Sequence, residues 1–148
     1  LMDFKAAVLY QPGEEISIES VQLKGLGSKE VLIQVKASGL CHTDLEIIDG
    51  ELNWPLPFVL GHEGSGEVVE VGSEVRKVSV CDRVVCSWTP ACGGCFFCAQ
   101  DQYILSQQLT LNNPKGYTFS GARKLHLSAG KPLHHFSVIS SHAEFCVI

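Results

Sequence analysis

The sequence has no long apolar run, and its basic residues are few and scattered. The 11 Lys and Arg residues are outnumbered by 16 Asp and Glu, which gives a net charge of −5 over 148 residues. No stretch approaches the roughly 18–20 apolar residues of a membrane span, and the N-terminus lacks the pattern of a secretory signal. No basic patch offers a surface to a nucleic acid. These absences predict a cytoplasmic protein with neither a membrane nor a nucleic-acid partner.

Cysteine, by contrast, is abundant, with seven residues. Without an export signal, this count favours metal binding over a disulfide framework. Cys92, Cys95 and Cys98 are spaced like metal ligands and are too close in sequence to pair comfortably with one another. Three more are expected to be small buried residues, because they lie in apolar, strand-like sequence: Cys81, Cys86 and Cys146.

Alternating stretches separated by glycine-rich turns predict a mostly β fold. In "VLIQVKASG" (31–39) the alternation puts Val31, Ile33, Val35 and Ala37 on one face. "GEVVEVG" and "DRVVCSW" predict two further strands. Such a layout is typical of an all-β sandwich or a partly open barrel.

Three segments interrupt the strand pattern. "TDLEIIDG" (43–50) predicts one short helix, with Thr43 and Glu46 as a capping box and Gly50 at its end. Residues 91–112 lack the alternation and predict an inserted lobe, called the cysteine lobe below. Residues 113–135 are rich in turn residues and predict a long surface loop.

Cys41 and His62 each end a strand-like stretch beside a glycine. Thiolate and imidazole are both good zinc ligands, and a catalytic zinc uses three protein ligands with one position open. Asp44 or Glu63 could orient the histidine through its second ring nitrogen. Taken alone, the pair is also compatible with a purely structural role.

The sequence around this pair resembles a known family. "GLCHTDLEIIDGELNWPLPFVLGHEGSGEVVEVG" is similar to the zinc-binding stretch of the medium-chain, zinc-dependent alcohol dehydrogenases, and the similarity continues through "DRVVCSWTPACGGCFFC" and "GKPLHHFSVISSHAEF". The resemblance implies a GroES-like catalytic domain: a partly open barrel with a short helix and an inserted zinc-binding lobe. It also implies oxidation of a small alcohol to its aldehyde with zinc and NAD or NADP, and possible homodimers.

The resemblance assigns roles residue by residue around the catalytic zinc. Cys41 and His62 match two zinc ligands, and Glu63 matches a carboxylate that can approach the metal as an alternative ligand. Asp44 matches the hydrogen-bond partner of the ligating histidine. Thr43 matches the hydroxyl that takes the alcohol proton into a relay, although it could instead only cap the helix.

Further roles follow from the same resemblance. His42 matches a position that touches the pyrophosphate of the cofactor. The substrate pocket is implied to be lined by Leu52, Trp88 and Phe136. A structural zinc is implied at the cysteine lobe, held by Cys92, Cys95, Cys98 and a fourth cysteine.

The chain departs from the family pattern in ways that bear on function. Ser106 stands where the fourth cysteine of the lobe is expected, so a tight zinc site is in doubt. An iron–sulfur cluster is a remote alternative, since Gln102 replaces the next cysteine of that motif. Cys81 replaces a turn glycine and would be strained if that position needs a positive φ.

The cofactor-binding half of the family is the largest departure. The third ligand of the catalytic zinc and the nucleotide-binding domain would both follow residue 148, and "GSGEVV" is not a dinucleotide fingerprint. We therefore expect residues 1–148 to be a GroES-like catalytic domain that is inactive by itself. The alternative is a non-catalytic zinc-binding or structural module.

Overall fold

Two β-sheets form the framework of the protein. A computed structural model describes residues 2–148. In chain order the strands are β1 (Met2–Leu9), β2 (Ser17–Leu23), β3 (Val31–Gly39), β4 (Phe58–Val59), β5 (Glu63–Val71), β6 (Arg83–Val85), β7 (Leu125–Leu127), β8 (His134–His135) and β9 (Phe145–Val147). One sheet has the order β7-β2-β1-β4-β8 and the other β6-β5-β3-β9. The prediction of a mostly β, partly open barrel is confirmed.

Helical structure is short and lies between the strands. It comprises α1 (His42–Ile48), α2 (Gln107–Asn112) and the 3-10 turns Cys98–Gln100, Tyr103–Leu105 and Asn113–Lys115. In the part of the chain that the structure describes, no strand interrupts the cysteine lobe. No helix within residues 2–148 is long and apolar enough to cross a membrane.

The longest antiparallel ladder joins β3 to β5. Irregularities in its register fall between Leu32 and Ile33 and between Val35 and Ala37. Ile33 packs with Val31 and Val35 in one core cluster, as expected, while Leu32 is buried in another cluster on the opposite face. Only Ala37 departs from the expected buried face: it is exposed, because the extra residue Lys36 precedes it in β3.

Helix α1 is capped two residues earlier than the sequence pattern indicated. Cys41 is its N-cap, and the Asp44 carboxylate accepts a hydrogen bond from the Cys41 backbone N–H at 3.0 Å. The expected Thr43–Glu46 capping box is therefore wrong, since Thr43 already lies inside the helix. Gly50 does follow the helix with φ of 81°, the left-handed geometry that glycine adopts most easily.

Residues 113–135 are not a surface loop. β7 extends the five-stranded sheet by pairing with β2, and β8 pairs in parallel with β4. Leu125, Leu133 and His135 are almost completely buried. The prediction failed because these strands have only three and two residues and lie between turn residues, too few for an alternating pattern to be read.

A buried carboxylate ties this segment to the barrel. Glu30 is 3% exposed, accepts the Gly27 N–H at 2.6 Å and also accepts the Ser120 hydroxyl. The Lys124 ammonium lies 3.0 Å from it. The charge is thus paired and hydrogen-bonded, which is the condition under which a carboxylate can be buried.

The cysteines outside the metal-like clusters divide in two. Cys146 is buried and Cys86 half-buried, in line with the expectation of small core residues. Cys81 is exposed, so the same expectation is wrong there. Its φ is 76°, which confirms the reasoning that this turn position requires a left-handed backbone.

Candidate metal centres

The β3–β5 ladder brings Cys41, His62 and Glu63 together. Gly39 at the end of β3 is the register partner of Glu63 at the start of β5. The residues that follow β3 and precede β5 therefore lie side by side. One ligand atom from each of the three residues lies within 4.8 Å of the others. Thiolate, imidazole and carboxylate form a donor set typical of zinc, and we call this cluster the first centre.

A buried acid–histidine pair orients this centre. Asp44 is 2% exposed and His62 is 7% exposed. Asp44 Oδ1 lies 3.7 Å from His62 Nδ1, and neither atom has a hydrogen-bond partner. Because Nδ1 faces the carboxylate, Nε2 is the nitrogen left for an ion. This unsatisfied pair fits a ligating histidine with a carboxylate behind it.

Two neighbours shape the space around the Cys41 sulfur. The Thr43 hydroxyl oxygen lies 3.6 Å from Cys41 Sγ. Gly39 packs so closely against the Glu63 carboxylate that a side chain at position 39 would collide with it. The missing side chain of Gly39 therefore lets Glu63 approach the cluster.

An apolar cleft of about 300 Å³ opens beside Cys41. Its lining consists of Ile16, Leu40, Cys41, His42, Asp44, Leu45, Ile48, Leu60 and His142. His42, expected to touch a cofactor, lies at the exposed start of α1. A larger open groove of about 500 Å³ along β5 and β6 contains none of the predicted site residues.

His142 is a neighbour of the first centre to which the sequence gave no role. Its Nε2 lies 3.1 Å from the Gly39 carbonyl oxygen, and its backbone N–H donates to the Leu60 carbonyl at 2.9 Å. This histidine is far from Cys41 and His62 in the chain. Only the strand pairing brings it there, so no sequence signal marked it.

An aromatic wall covers the other side of His62. The Phe136 ring is 1% exposed, and its centroid lies 5.0 Å from those of both His62 and Trp54. The Trp54 indole N–H donates to the His135 carbonyl at 3.0 Å. Trp54 was not among the expected pocket residues, although it lies within the stretch "NWPLPF" that carries the resemblance.

The other two expected pocket residues are not part of this wall. Leu52 is 42% exposed and Trp88 is 51% exposed. Neither residue belongs to the lining of the apolar cleft. Of the three expected residues, the structure brings only Phe136 to His62.

The three thiols of the cysteine lobe form a second centre. Their sulfurs lie within 4.8 Å of one another, with Cys95 Sγ 3.5 Å and Cys92 Sγ 3.9 Å from Cys98 Sγ. Sulfurs bound at about 2.3 Å to one tetrahedral zinc stand about 3.8 Å apart. The spacing therefore fits three corners of a zinc tetrahedron.

Backbone N–H groups favour the thiolate form in this lobe. The N–H groups of Gln107 and Cys98 lower the pKa of Cys95 to about 6. For Cys92, the Gly94 N–H and then the Ser106 hydroxyl lower the thiol pKa. Because thiolates are the metal-binding form, these contacts prepare the lobe for a cation.

Family comparison agrees with this geometry. The Alcohol dehydrogenase GroES-like domain family matches residues 27–133. The chain belongs to this family. The proposed resemblance to the N-terminal domain of the zinc-type medium-chain alcohol dehydrogenases is thereby confirmed.

Relatives of known name extend the comparison. The NDMA-dependent alcohol dehydrogenase of Amycolatopsis methanolica is 49% identical over 98 residues, which cover 66% of this chain and 26% of that protein. An alcohol dehydrogenase zinc-binding domain protein from Burkholderia ambifaria superimposes with a TM-score of 0.89 at 39% identity, over 99% of this chain and 40% of that one. Benzyl alcohol dehydrogenase from Acinetobacter calcoaceticus gives a TM-score of 0.84 at 32% identity, over 99% and 39%. The chain thus spans about a quarter of the length of the curated relative.

Proposed function

We propose that this GroES-like domain is the metal- and substrate-binding part of an alcohol dehydrogenase that oxidises an alcohol to its aldehyde with NAD or NADP. The observation that carries the proposal is the first centre: Cys41, His62 and Glu63 within 4.8 Å, with the buried Asp44 facing His62. The relatives of the chain are alcohol dehydrogenases, which supports its assignment to the oxidoreductases.

In this proposal Cys41 and His62 hold a zinc ion, and Glu63 is an alternative ligand. A zinc ion bound there would polarise the substrate oxygen and lower the pKa of the alcohol hydroxyl. The Asp44 carboxylate faces His62 Nδ1 at 3.7 Å, so that Nε2 is the ring nitrogen that would meet the metal.

The remaining side chains bind the substrate and move its proton. Thr43, whose hydroxyl lies 3.6 Å from Cys41 Sγ, would take up the proton of the alcohol while it releases its own hydroxyl proton to water, so that the hydroxyl acts as a relay. The buried wall of Phe136 and Trp54 gives the substrate an apolar surface and excludes water from one side of His62. His42, exposed at the start of α1, would contact the nicotinamide cofactor.

The test joins this chain to a partner domain of known structure. In a chimera, residues 1–148 replace the matching 40% of the Burkholderia ambifaria protein. We expect zinc binding and reduction of NAD or NADP, followed at 340 nm, with a panel of primary and aromatic alcohols. A Cys41→Ala chimera, folded to the same extent by circular dichroism, should lose the reaction.

The alternative function is a non-catalytic zinc-binding or structural module. A folded chimera that binds zinc at Cys41 and His62 but transfers no hydride would favour this module. The same assay on the 148-residue chain alone tests the expectation that it is inactive. A cytoplasmic location and a homodimer remain predictions, to be checked by fractionation and by light scattering.

A further inference from the structure

The cysteine lobe offers three corners of a metal site but no fourth ligand of the usual kind. Among residues 2–148, only Cys92, Cys95 and Cys98 contribute metal-ligating side chains to this cluster. Closed structural zinc sites almost always have four protein ligands, drawn from cysteine, histidine and carboxylate. The lobe therefore does not fit a closed structural zinc site.

Ser106 occupies the neighbourhood in which a fourth ligand would stand. Its side chain is fully buried, at 0% exposure, although Cys92 beside it is exposed. Ser106 Oγ accepts the Cys92 backbone N–H at 3.2 Å.

The contact ties the Ser106 hydroxyl to the backbone of Cys92. A neutral hydroxyl is, in addition, not among the usual protein ligands of zinc. Ser106 therefore interacts with the Cys92 residue rather than with an ion between the sulfurs.

We infer that the cysteine lobe is an exchangeable three-thiolate site for a thiophilic divalent cation, in which Ser106 is a positioning residue for Cys92 and not a ligand. The three sulfurs supply the attraction, and the Ser106 hydroxyl holds Cys92 at the edge of the cluster. With one ligand fewer than a closed site, the metal is released to a chelator more readily. This inference does not rest on the proposed function, because the lobe shares no ligand with the first centre.

The experiment counts thiolates with cobalt(II) in place of zinc. The first centre is silenced by His62→Ala, so that only the lobe contributes sulfur-to-cobalt charge-transfer bands, whose intensity rises with the number of thiolates. Ser106→Ala should leave the band positions and intensities unchanged. Ser106→Cys should raise the charge-transfer intensity by about a third, as expected for four thiolates instead of three.

Zinc affinity, measured by competition with a chelating dye, gives the second readout. Ser106→Ala should weaken zinc binding by roughly 10–100-fold, the usual effect of losing a supporting hydrogen bond to a ligand. Ser106→Cys should tighten it by more than this factor and slow zinc release to EDTA. Cys95→Ser, which removes a true ligand, is the control for loss of the site.

Two results would overturn the inference. If Ser106→Ala changes the cobalt spectrum or abolishes binding as Cys95→Ser does, Ser106 is a ligand. If the unaltered lobe takes up no cobalt and no zinc, it is not a metal site. Should Ser106→Cys fail to fold, the spectrum of Ser106→Ala still decides between ligand and positioning residue.

Discussion

The first centre and the cysteine lobe each bring three donor groups together, but they are built differently. The first centre combines sulfur, nitrogen and oxygen donors at the ends of a strand ladder and a helix, with the buried Asp44 behind His62. The cysteine lobe uses three identical thiols on a segment without strands, and backbone N–H groups support the thiolates. The first centre also lies beside an apolar cleft.

The difference shows that the number of protein ligands alone does not predict what a metal site does. Beside a cleft, a metal with three protein ligands has a position for substrate. In the cysteine lobe, the buried Ser106 hydroxyl accepts the Cys92 N–H and is not a usual zinc ligand. There we expect the missing fourth ligand to weaken metal binding.

The largest expected effect comes from removing one metal ligand from each centre in turn. His62→Ala should remove the zinc of the first centre, and Cys95→Ser that of the lobe, each lowering zinc content by about one equivalent per chain. Loss of a ligand should weaken binding by more than the roughly 10–100-fold that loss of a supporting partner causes. Elemental analysis after gel filtration measures this. If either variant released both ions, the two centres would not be independent.

A smaller effect tests the carboxylate behind His62. Asp44→Asn keeps the size of the side chain but removes the charge that faces His62 Nδ1 at 3.7 Å. We expect zinc affinity at the first centre to fall by roughly 10–100-fold, with no change at the cysteine lobe. Dye competition on a Cys95→Ser background isolates the first centre. An unchanged affinity would mean that Asp44 serves only as the cap of α1.

Acid should destabilise the protein through His135, whose carbonyl accepts the Trp54 indole N–H beside the first centre; the cysteine lobe contains no histidine. His135 is fully buried, and its Nε2 accepts the Lys124 N–H at 3.2 Å. Burial, reinforced by the charges of His134, His126 and Lys124, lowers the pKa of His135 to about 3. In the unfolded chain the pKa returns to about 6.5, so the unfolded state binds the proton first as the pH falls.

Stability should therefore be lost as the pH falls from about 6.5 towards 3, by about 2 kcal/mol at pH 5. Urea unfolding between pH 5 and 7 measures this slope. His135→Gln keeps a hydrogen-bond acceptor but does not titrate, so its slope should be smaller by that amount. A slope equal to that of the unaltered protein would assign the acid sensitivity to other groups.

The sequence predicted the parts of the molecule that depend on local pattern or on family motifs. The mostly β fold and the turn geometry at Cys81 are of this kind, and Cys41, His62 and Glu63 do meet in space. What it missed depends on contacts between distant segments. The two-residue strand β8 forms by pairing with β4, and His142 reaches Gly39 only through the tertiary fold.

The prediction of the N-cap of α1 was wrong for a related reason. Thr43 and Glu46 have the spacing of a capping box, and so do Cys41 and Asp44, but cysteine is not a preferred capping residue. The tertiary position of Asp44, buried against His62, decides between the two. The observed cap thus goes with a tertiary contact that the local pattern does not show.

The smallest expected effect uses a cysteine that belongs to neither centre. Cys81 is exposed with φ of 76°, and its N–H donates to the Val68 carbonyl at 2.8 Å, which holds the backbone in this conformation. A left-handed conformation costs a residue with a Cβ roughly 1–2 kcal/mol, and glycine avoids it. Cys81→Gly should therefore stabilise the protein by about 1 kcal/mol in urea unfolding.

The matched control is Cys81→Ala, which removes the thiol but keeps the Cβ and should leave stability within about 0.5 kcal/mol. Both variants should retain the zinc content of the unaltered protein, because Cys81 belongs to neither cluster. If Cys81→Ala stabilised as much as Cys81→Gly, the thiol rather than the backbone would be the source of the cost. If either variant lost zinc, the division of the cysteines into two centres and a remainder would be wrong.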